Sequence, residues 1–260
     1  MSYYKRLKQI LMQRSTIITI AAAALMLSSC SSNMSHTLTP SKETVTFQVP
    51  AKDIKSLEIF NNFKVTYTQG DICSVTVTTP VNLREELRIK VDGTTLTAAL
   101  KDGVSLRGGN AIAINVTSPY INDINIANSS SLYIADGLST PDYVKIGAEN
   151  SATVSISSID TREFKAEVFN SSDLSIGAIT SVSTDMECFN SGAVNIEKLI
   201  SDSIEAEIFN SSRVSLDGIA TKTLKAECYN TSNLSLTGKA DKTMLESYNS
   251  ARIDASGLTK

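Results

Sequence analysis

The sequence predicts an all-β protein whose main body is a right-handed parallel β-helix, a solenoid with coils of about 20 residues, preceded by an irregular β-rich part. The first observation is a three-residue motif, an aromatic residue followed by Asn and then by Ser or Thr, which occurs five times between Phe169 and Ser250. The second is its spacing: the Asn positions, traced back to Asn128, are separated by 22, 20, 20, 20, 20 and 19 residues. The third is an abundance of Thr, Val and Ile, which favours strands.

Residues 1–29 have the features of a secretory signal. Basic residues precede an apolar run over residues 17–27, which is too short to span a bilayer permanently. The Leu-Ser-Ser-Cys ending at Cys30 resembles the lipobox of bacterial lipoproteins. That resemblance implies cleavage before Cys30 and a lipid anchor on Cys30, which would make the membrane its partner. The alternative is a chance Cys after an uncleaved anchor helix.

Residues 30–43 are predicted to be a flexible tether, because the polar stretch after Cys30 shows no periodicity. Residues 44–260 are predicted to form a single domain. Within it, residues 44–118 alternate apolar and polar side chains without a strict repeat and are predicted to be less regular coils, with a hairpin at Asp92-Gly93. Residues 119–260 contain the regular repeats.

Apolar residues recur in three clusters per repeat, each at a fixed distance from the Asn. Three short strands per coil, stacked on identical coils, would place every cluster inside. A two-sheet sandwich is the alternative, but it does not require each motif to repeat the same kind of residue in the same column. In the coil around Asn170 the inward clusters are Phe164, Ala166 and Val168, then Leu174 and Ile176, then Ile179.

The Asn column has a structural explanation. A sharp corner often needs left-handed backbone angles, which Asn tolerates better than most residues. Each amide can also donate to one neighbouring coil and accept from the other. We therefore predict a corner ladder of Asn128, Asn150, Asn170, Asn190, Asn210, Asn230 and Asn249.

The three cysteines after Cys30 do not form an evident disulfide framework. Cys188 and Cys228 occupy an inward column, two coils apart, and are predicted to be small buried apolar residues beyond disulfide reach. Cys73 has no partner at close spacing.

The pieces Phe63-Lys64-Val65, Val91-Asp92-Gly93 and Val116-Thr117-Ser118-Pro119, together with the corner motifs, resemble the head GIN domain family of Bacteroidetes adhesin-like lipoproteins. The resemblance runs from about Thr44 to the end and implies a β-helical fold and an adhesin label without site residues. The corners depart from the family's common Gly-Ser-Gly, although Asn meets the same backbone demand.

Two outward columns are candidates for function. The aromatic stripe is either a strip for a partner or a stacking ladder that stiffens the solenoid. The acidic stripe is either a strip for a cation or basic partner, or a solvated face relieved by Lys165 and Lys225. The aromatic stripe consists of Phe169, Phe189, Phe209, Tyr229 and Tyr248, and the acidic stripe of Glu167, Glu187, Glu207 and Glu227.

Catalysis is not expected. The single His, His36, lies in the predicted tether, so a His-based triad or metal site has no place in the folded part. No cofactor-binding glycine motif occurs, and we predict no cofactor and no metal. A net charge of -3 argues against nucleic acid. A β-helical polysaccharide lyase or hydrolase is the enzyme alternative.

The predicted function is therefore a non-catalytic, envelope-anchored lipoprotein, an adhesin or binding module that presents a β-helix face to a glycan or protein. A periplasmic scaffold lipoprotein is the alternative. Bacteroidetes lipoproteins of the cell surface resemble one another in having acidic residues directly after the lipidated Cys, and Ser31-Ser32-Asn33-Met34 has none. We therefore expect the outer membrane, with the periplasmic face favoured.

Overall fold

A computed structural model describes residues 36–108 and 111–260 of the chain. The predicted signal peptide and the lipidation site Cys30 lie outside the described residues. Residues Thr37–Lys260 form one compact unit.

The N-terminal part contains nine strands and a 3-10 helix in its described residues. They are β1 (His36–Leu38), β2 (Thr44–Gln48), β3 (Ser56–Ile59), β4 (Phe63–Gln69), β5 (Ser74–Pro80), the 3-10 helix Val81–Glu86, β6 (Leu87–Asp92), β7 (Thr95–Leu100), β8 (Val104–Leu106) and β9 (Ile112–Ser118).

The remainder is a β-solenoid of about 7 turns over residues 123–259, which confirms the predicted fold class. Its strands are β10 (Asp123–Ala127), β11 (Ser131–Ile134), β12 (Leu138–Glu149), β13 (Thr153–Phe169), β14 (Asp173–Phe189), β15 (Ala193–Ile196), β16 (Leu199–Ile208), β17 (Arg213–Tyr229), β18 (Asn233–Tyr248) and β19 (Arg252–Thr259).

Parallel pairing in register joins neighbouring coils. Leu174 on β14 lies beside Val154 on β13 and Val194 on β15, as the column assignment predicts. Antiparallel hairpins, which a sandwich would need, do not occur between the described strands β10 to β19. The predicted inward residues are buried, and Phe164, Ala166 and the rest of their clusters form one continuous apolar core.

The predicted Asn ladder is confirmed. All seven residues have positive φ, between 50° and 61°. From Asn150 onward, each side-chain amide donates to the side-chain oxygen of the preceding Asn, at 3.0 Å from Asn170 to Asn150 and 3.2 Å from Asn190 to Asn170. The same bonds join Asn150 to Asn128, Asn210 to Asn190, Asn230 to Asn210 and Asn249 to Asn230.

The corner contains a second left-handed residue that sequence reasoning missed. The Ser after the Asn also has positive φ at five corners, for example 60° at Ser171 and 64° at Ser191. Its backbone N–H donates to the backbone carbonyl of the next corner Asn, at 3.1 Å from Ser171 to Asn190. Backbone and side-chain bonds therefore tie each corner to its neighbours.

The cysteines behave as predicted. Cys188 and Cys228 are free and buried in the core, and Cys73 is free and half-buried. Burial raises the pKa of the Cys188 thiol to about 12 and that of Cys228 to about 11. These two thiols therefore stay protonated at neutral pH and act as apolar packing groups.

The N-terminal part combines coil-like and antiparallel pairing. β3 and β4 pair in parallel with β10 and β11, so they continue the stack beyond the first solenoid coil. By contrast, β5 pairs antiparallel with β2 and β9. The predicted Asp92-Gly93 hairpin is confirmed, because β6 and β7 pair antiparallel around Gly93, whose φ is 59°.

The prediction of a tether over residues 30–43 is wrong from His36 onward. There β1 forms a two-stranded sheet with β8. The Thr37 and Ser105 hydroxyls lie 2.9 Å apart, and Leu38 packs against the apolar core. One apolar side chain and a short edge pairing are enough to order this segment, and neither has a periodic signal in sequence.

The corner ladder generates a stability prediction. Asn190→Ala removes two ladder hydrogen bonds. It also leaves Ala, which lacks the side-chain amide that helps Asn tolerate a left-handed backbone, at a φ of 51°. We expect a loss of about 2 kcal/mol in the free energy of unfolding, measured by urea titration. Asn190→Gly is the matched control, since Gly adopts positive φ freely and should lose roughly half as much. Equal losses for both variants would contradict the backbone explanation.

Candidate functional site

The predicted aromatic stripe is a continuous stack. Its ring centroids lie 5.1, 4.5, 4.6 and 4.8 Å apart from Phe169 to Tyr248, and successive ring planes are within 8° of parallel. Each inner ring is covered on both faces, because the coils repeat at about the thickness of a stacked ring pair. Phe189 and Phe209 are consequently only 6% and 3% exposed, although they lie outside the main apolar core.

This burial supports the stacking-ladder alternative for the stripe. Tyr248 at the end of the stack is 40% exposed, and it is the one member with a large accessible ring. A partner therefore cannot contact the stripe as a continuous apolar strip. The expectation of a partner-binding stripe is wrong for Phe189 and Phe209, because stacking leaves almost no ring surface accessible.

The predicted acidic stripe is more buried than expected. Glu167 and Glu187 are 7% and 4% exposed, so the interpretation of a solvated face is wrong for these two. The predicted relief by lysines is confirmed, since Lys165 Nζ lies 3.3 Å from Glu167 Oε1 and Lys225 Nζ lies 3.0 Å from Glu227 Oε1. Lys145 adds a second ammonium group at 3.3 Å from Glu167.

The acidic and aromatic stripes are joined by hydrogen bonds. The Tyr229 hydroxyl donates to Glu227, and the Tyr248 hydroxyl donates to Glu246. Within residues 36–108 and 111–260, no group of three or more His, Cys, Asp or Glu side chains has the arrangement of a metal site. The described acidic stripe is thus organised by lysines and tyrosines.

Near the start of these stripes, the ionised form of the Glu149 carboxyl is electrostatically disfavoured. The pKa of Glu149 is raised, first by burial and then by the charge of Glu167. Glu167 Oε2 is buried and has no hydrogen-bond partner among the residues that the structure describes. Because a raised carboxyl pKa favours the protonated folded state, this contribution to stability is present at low pH and is lost as pH rises through the folded-state pKa of Glu149.

A third outward surface is the strongest candidate site. It lies on the strand that follows each Asn corner, where a shallow groove of about 580 Å³ crosses five coils; two other grooves on the solenoid measure about 450 and 280 Å³. We call this surface the polar face. Its first column is Asp173, Ala193, Arg213, Asn233 and Arg252, and its second is Ser175, Asn195, Ser215, Ser235 and Asp254.

The chemistry of the polar face suits non-covalent recognition. Hydroxyl, amide and guanidinium groups repeat at roughly 4.8 Å along the stack. Small side chains at Ala193, Ser215 and Ser235 leave the groove open between larger neighbours. Arg213 and Arg252 are exposed and form no ion pair or side-chain hydrogen bond with any described residue. Sequence reasoning did not single out the first column of this face, although its spacing of 20, 20, 20 and 19 residues follows the repeat of the corner Asn.

Comparison with known proteins identifies the family. The family model described as "Putative auto-transporter adhesin, head GIN domain" matches residues 53–208 and 181–260. The chain belongs to the head GIN domain family. The resemblance predicted from the early and the corner motifs is therefore confirmed.

Solved structures share the fold of this head GIN protein. A "putative adhesin" from Bacteroides fragilis is 19% identical, with a TM-score of 0.72 over 84% of this chain and 99% of that chain. A "putative adhesin" from Parabacteroides merdae is 13% identical, with a TM-score of 0.66 over 86% and 99%. A "putative lipid binding protein" from Parabacteroides distasonis is 17% identical, with a TM-score of 0.60 over 86% and 100%.

A search of curated proteins returned no match to this head GIN chain. Over residues 36–108 and 111–260, the head GIN structure contains no helix with the length and hydrophobicity needed to cross a membrane.

The aromatic stack generates a second stability prediction. Phe209→Ala removes a ring that is stacked on both faces and nearly buried. We expect a loss of about 3–5 kcal/mol, measured by urea titration. Tyr248→Ala, which removes the exposed terminal ring with a single stacking neighbour, should lose only about 1 kcal/mol. Similar losses at the two positions would contradict a role for the stack in stability.

Proposed function

We propose that this head GIN protein is a non-catalytic, lipid-anchored binding module of the cell envelope, an adhesin whose polar face takes a glycan or protein partner. The single observation that carries the proposal is the polar face itself. It is a long open groove in which hydrogen-bonding side chains recur at successive coils, above the apolar residues Leu174, Val194, Val214 and Leu234. The adhesin-like role of the family supports the same conclusion.

The non-catalytic part of the proposal rests on the described side chains. The single His of the chain is His36, the first residue of β1, which is far in sequence from the polar face. The polar face has one carboxylate at each end, Asp173 and Asp254, separated by four coil spacings of roughly 4.8 Å. That separation is too large for a pair of carboxylates to act on one glycosidic bond.

The proposed attachment follows from the sequence. Acyl chains on Cys30 would anchor the protein stably at a membrane, since each buried methylene contributes about 0.8 kcal/mol. Residues between Cys30 and β1 would then connect the anchor to the folded unit. We place the protein at the outer membrane and favour its periplasmic face, where a partner would be an envelope glycan or protein.

Blocking the polar face tests the binding function. Asn195→Trp places a large ring on the second of the five coils that the groove crosses, at an exposed outward position that leaves the core unchanged. We expect the purified lipoprotein in detergent to bind envelope fragments in a pull-down assay. The amount of the Asn195→Trp variant that binds should be at least about 80% lower, because the Trp ring prevents close contact between the partner and the groove.

Thr180→Trp is the matched control, since Thr180, on β14, is exposed like Asn195 but lies outside the polar face. Equal melting temperatures of the two variants would show that folding is preserved. Wild-type-like binding by Asn195→Trp, or no binding by the unmodified protein, would overturn the proposed function.

Protease treatment of cells tests the placement. We expect the protein to survive protease added to intact cells and to be cut after the outer membrane is permeabilised. Immunoblotting of both samples measures the outcome, and the permeabilised sample controls for the intrinsic resistance of the solenoid. Cleavage in intact cells would overturn the periplasmic placement and put the binding module on the cell surface. Loss of lipid labelling in Cys30→Ala checks the anchor separately.

A further inference from the structure

We propose that the polar face binds a linear acidic polysaccharide whose carboxylate or sulfate groups recur every second sugar, with Arg213 and Arg252 as the two anion contacts. This inference rests on the proposed binding function and names the ligand class for the same face. It is carried by the charge state of the two arginines, their spacing, and the shape of the groove between them.

Arg213 and Arg252 are not neutralised within the protein. Several outward cations of the solenoid do pair with acids, namely Lys225 with Glu205 at 2.7 Å, Lys222 with Asp202 at 2.9 Å, and Arg162 with Glu163 at 2.9 Å. The exposed lysines Lys198, Lys239 and Lys242 form no ion pair with a described residue, but they lie outside the polar face. Arg213 and Arg252 have no such partner among the described residues. Two exposed guanidinium groups therefore lie in one column with N–H donors that no described side chain accepts from. The planar arrangement of these donors matches the geometry of carboxylate and sulfate oxygens.

Arg252 forms no ion pair with the neighbouring acid, Asp254, which remains an ionised carboxylate because the Ser256 hydrogen bonds lower its pKa. The Asp254 carboxylate accepts hydrogen bonds from the Ser256 backbone N–H at 3.0 Å and from the Ser256 hydroxyl at 2.7 Å. Asp173, the other acid of the face, lies two coils from Arg213 in the same column. The anion-binding part of the groove is thus the segment between Arg213 and Arg252, with Asn233 at its centre.

The two arginines are spaced like alternate sugars of a polysaccharide. They lie two coils apart, which is roughly 9.6 Å along the stack. Two hexose units of an extended β-linked chain span a similar distance, and one coil corresponds to one sugar. A polysaccharide with one acidic group per disaccharide would therefore meet an arginine at each acidic sugar and Asn233 at the sugar between them.

The second column of the groove adds neutral hydrogen-bonding groups. The Ser235 hydroxyl can donate to a sugar hydroxyl, and the Ser215 hydroxyl, which donates to Asp217, can still accept from one. Asn195 extends this row. The polar face contains no aromatic ring on which a nucleic acid base could stack. Its side chains stand on the flat of the sheet, away from strand edges, so a peptide cannot add to it as a further strand.

The length of the groove sets the size of the ligand. Five coils span roughly 19 Å, which corresponds to about four sugars. The groove is open at the surface, so it can hold an internal segment of a long chain. A repeating polymer could then slide by two sugars and present the same anions again, which raises the number of equivalent binding positions.

The test uses the full-length lipoprotein in detergent with unsulfated chondroitin, which carries one carboxylate per disaccharide, as the acidic probe. The neutral counterpart is the same polymer after its carboxyl groups have been reduced. We expect binding to the acidic polymer, weakened by added salt, and no measurable binding to the neutral one. Arg213→Ala and Arg252→Ala should each lower the affinity at least about tenfold, because each removes charge-assisted hydrogen bonds.

Arg162→Ala is the matched control. It removes the same type of residue from an exposed position outside the groove and should retain wild-type affinity. Arg213→Lys keeps the charge but lacks the fork, so it should fall between the wild type and Arg213→Ala. Thermal melting of every variant separates lost binding from lost folding.

Equal binding of the neutral and acidic polymers, or unchanged affinity in both alanine variants, would overturn the inference. Failure to bind any acidic polymer, while Asn195→Trp still abolishes binding to envelope fragments, would overturn the ligand class and leave the binding function standing. Failure of the unmodified protein to bind either the fragments or the polymer would overturn both.

Discussion

The solenoid depends on the corner at which each Asn turns the chain. Seven Asn residues hold left-handed backbone angles and pass a side-chain hydrogen bond from coil to coil. The N–H groups that follow them bond to the next corner, so a coil cannot shift relative to its neighbour without breaking several bonds together. This shared corner keeps the residues beside it in register, and side chains in one column therefore meet at a single strand spacing. Among the described strands of the solenoid, register shifts occur only farther from the corner, as between Leu216 and Ile219.

In-register stacking has opposite consequences for different side chains. Flat rings are stabilised by it, because each ring covers the next. In the stack from Phe169 to Tyr248, the inner rings of Phe189 and Phe209 are therefore buried although they lie outside the main apolar core. Carboxylates are destabilised by in-register stacking, since like charges are brought close together. Ammonium groups of Lys165 and Lys225 reach into the acidic column and offset that repulsion, whereas the pKa of Glu149, at the start of the stripes, remains raised.

The same register explains why the polar face is suited to an extended ligand. Small and polar side chains alternate with arginines at one coil spacing, so the surface repeats with nearly the length of a sugar unit. The core and the aromatic stack are packed internally, and lysines offset most of the charge of the acidic column. Arg213 and Arg252 are exposed and form no ion pair with a described residue, so their donors are open to a partner, which is compatible with the adhesin-like role of the family.

The sequence by itself determined the solenoid, its corners and its inward columns, because each depends on local backbone preference and on a period that is visible in one dimension. Asn190 and Ile176 have counterparts of the same type in neighbouring coils, so the repeat pattern predicts that one lies at a corner and the other in the core. Tertiary structure alone decided how outward columns share space. Phe209 and Glu187 lie on outward positions yet are buried, since neighbouring coils cover them. The ordering of Leu38 and the unpaired state of Arg213 likewise depend on contacts between residues far apart in sequence, for which a one-dimensional period contains no signal.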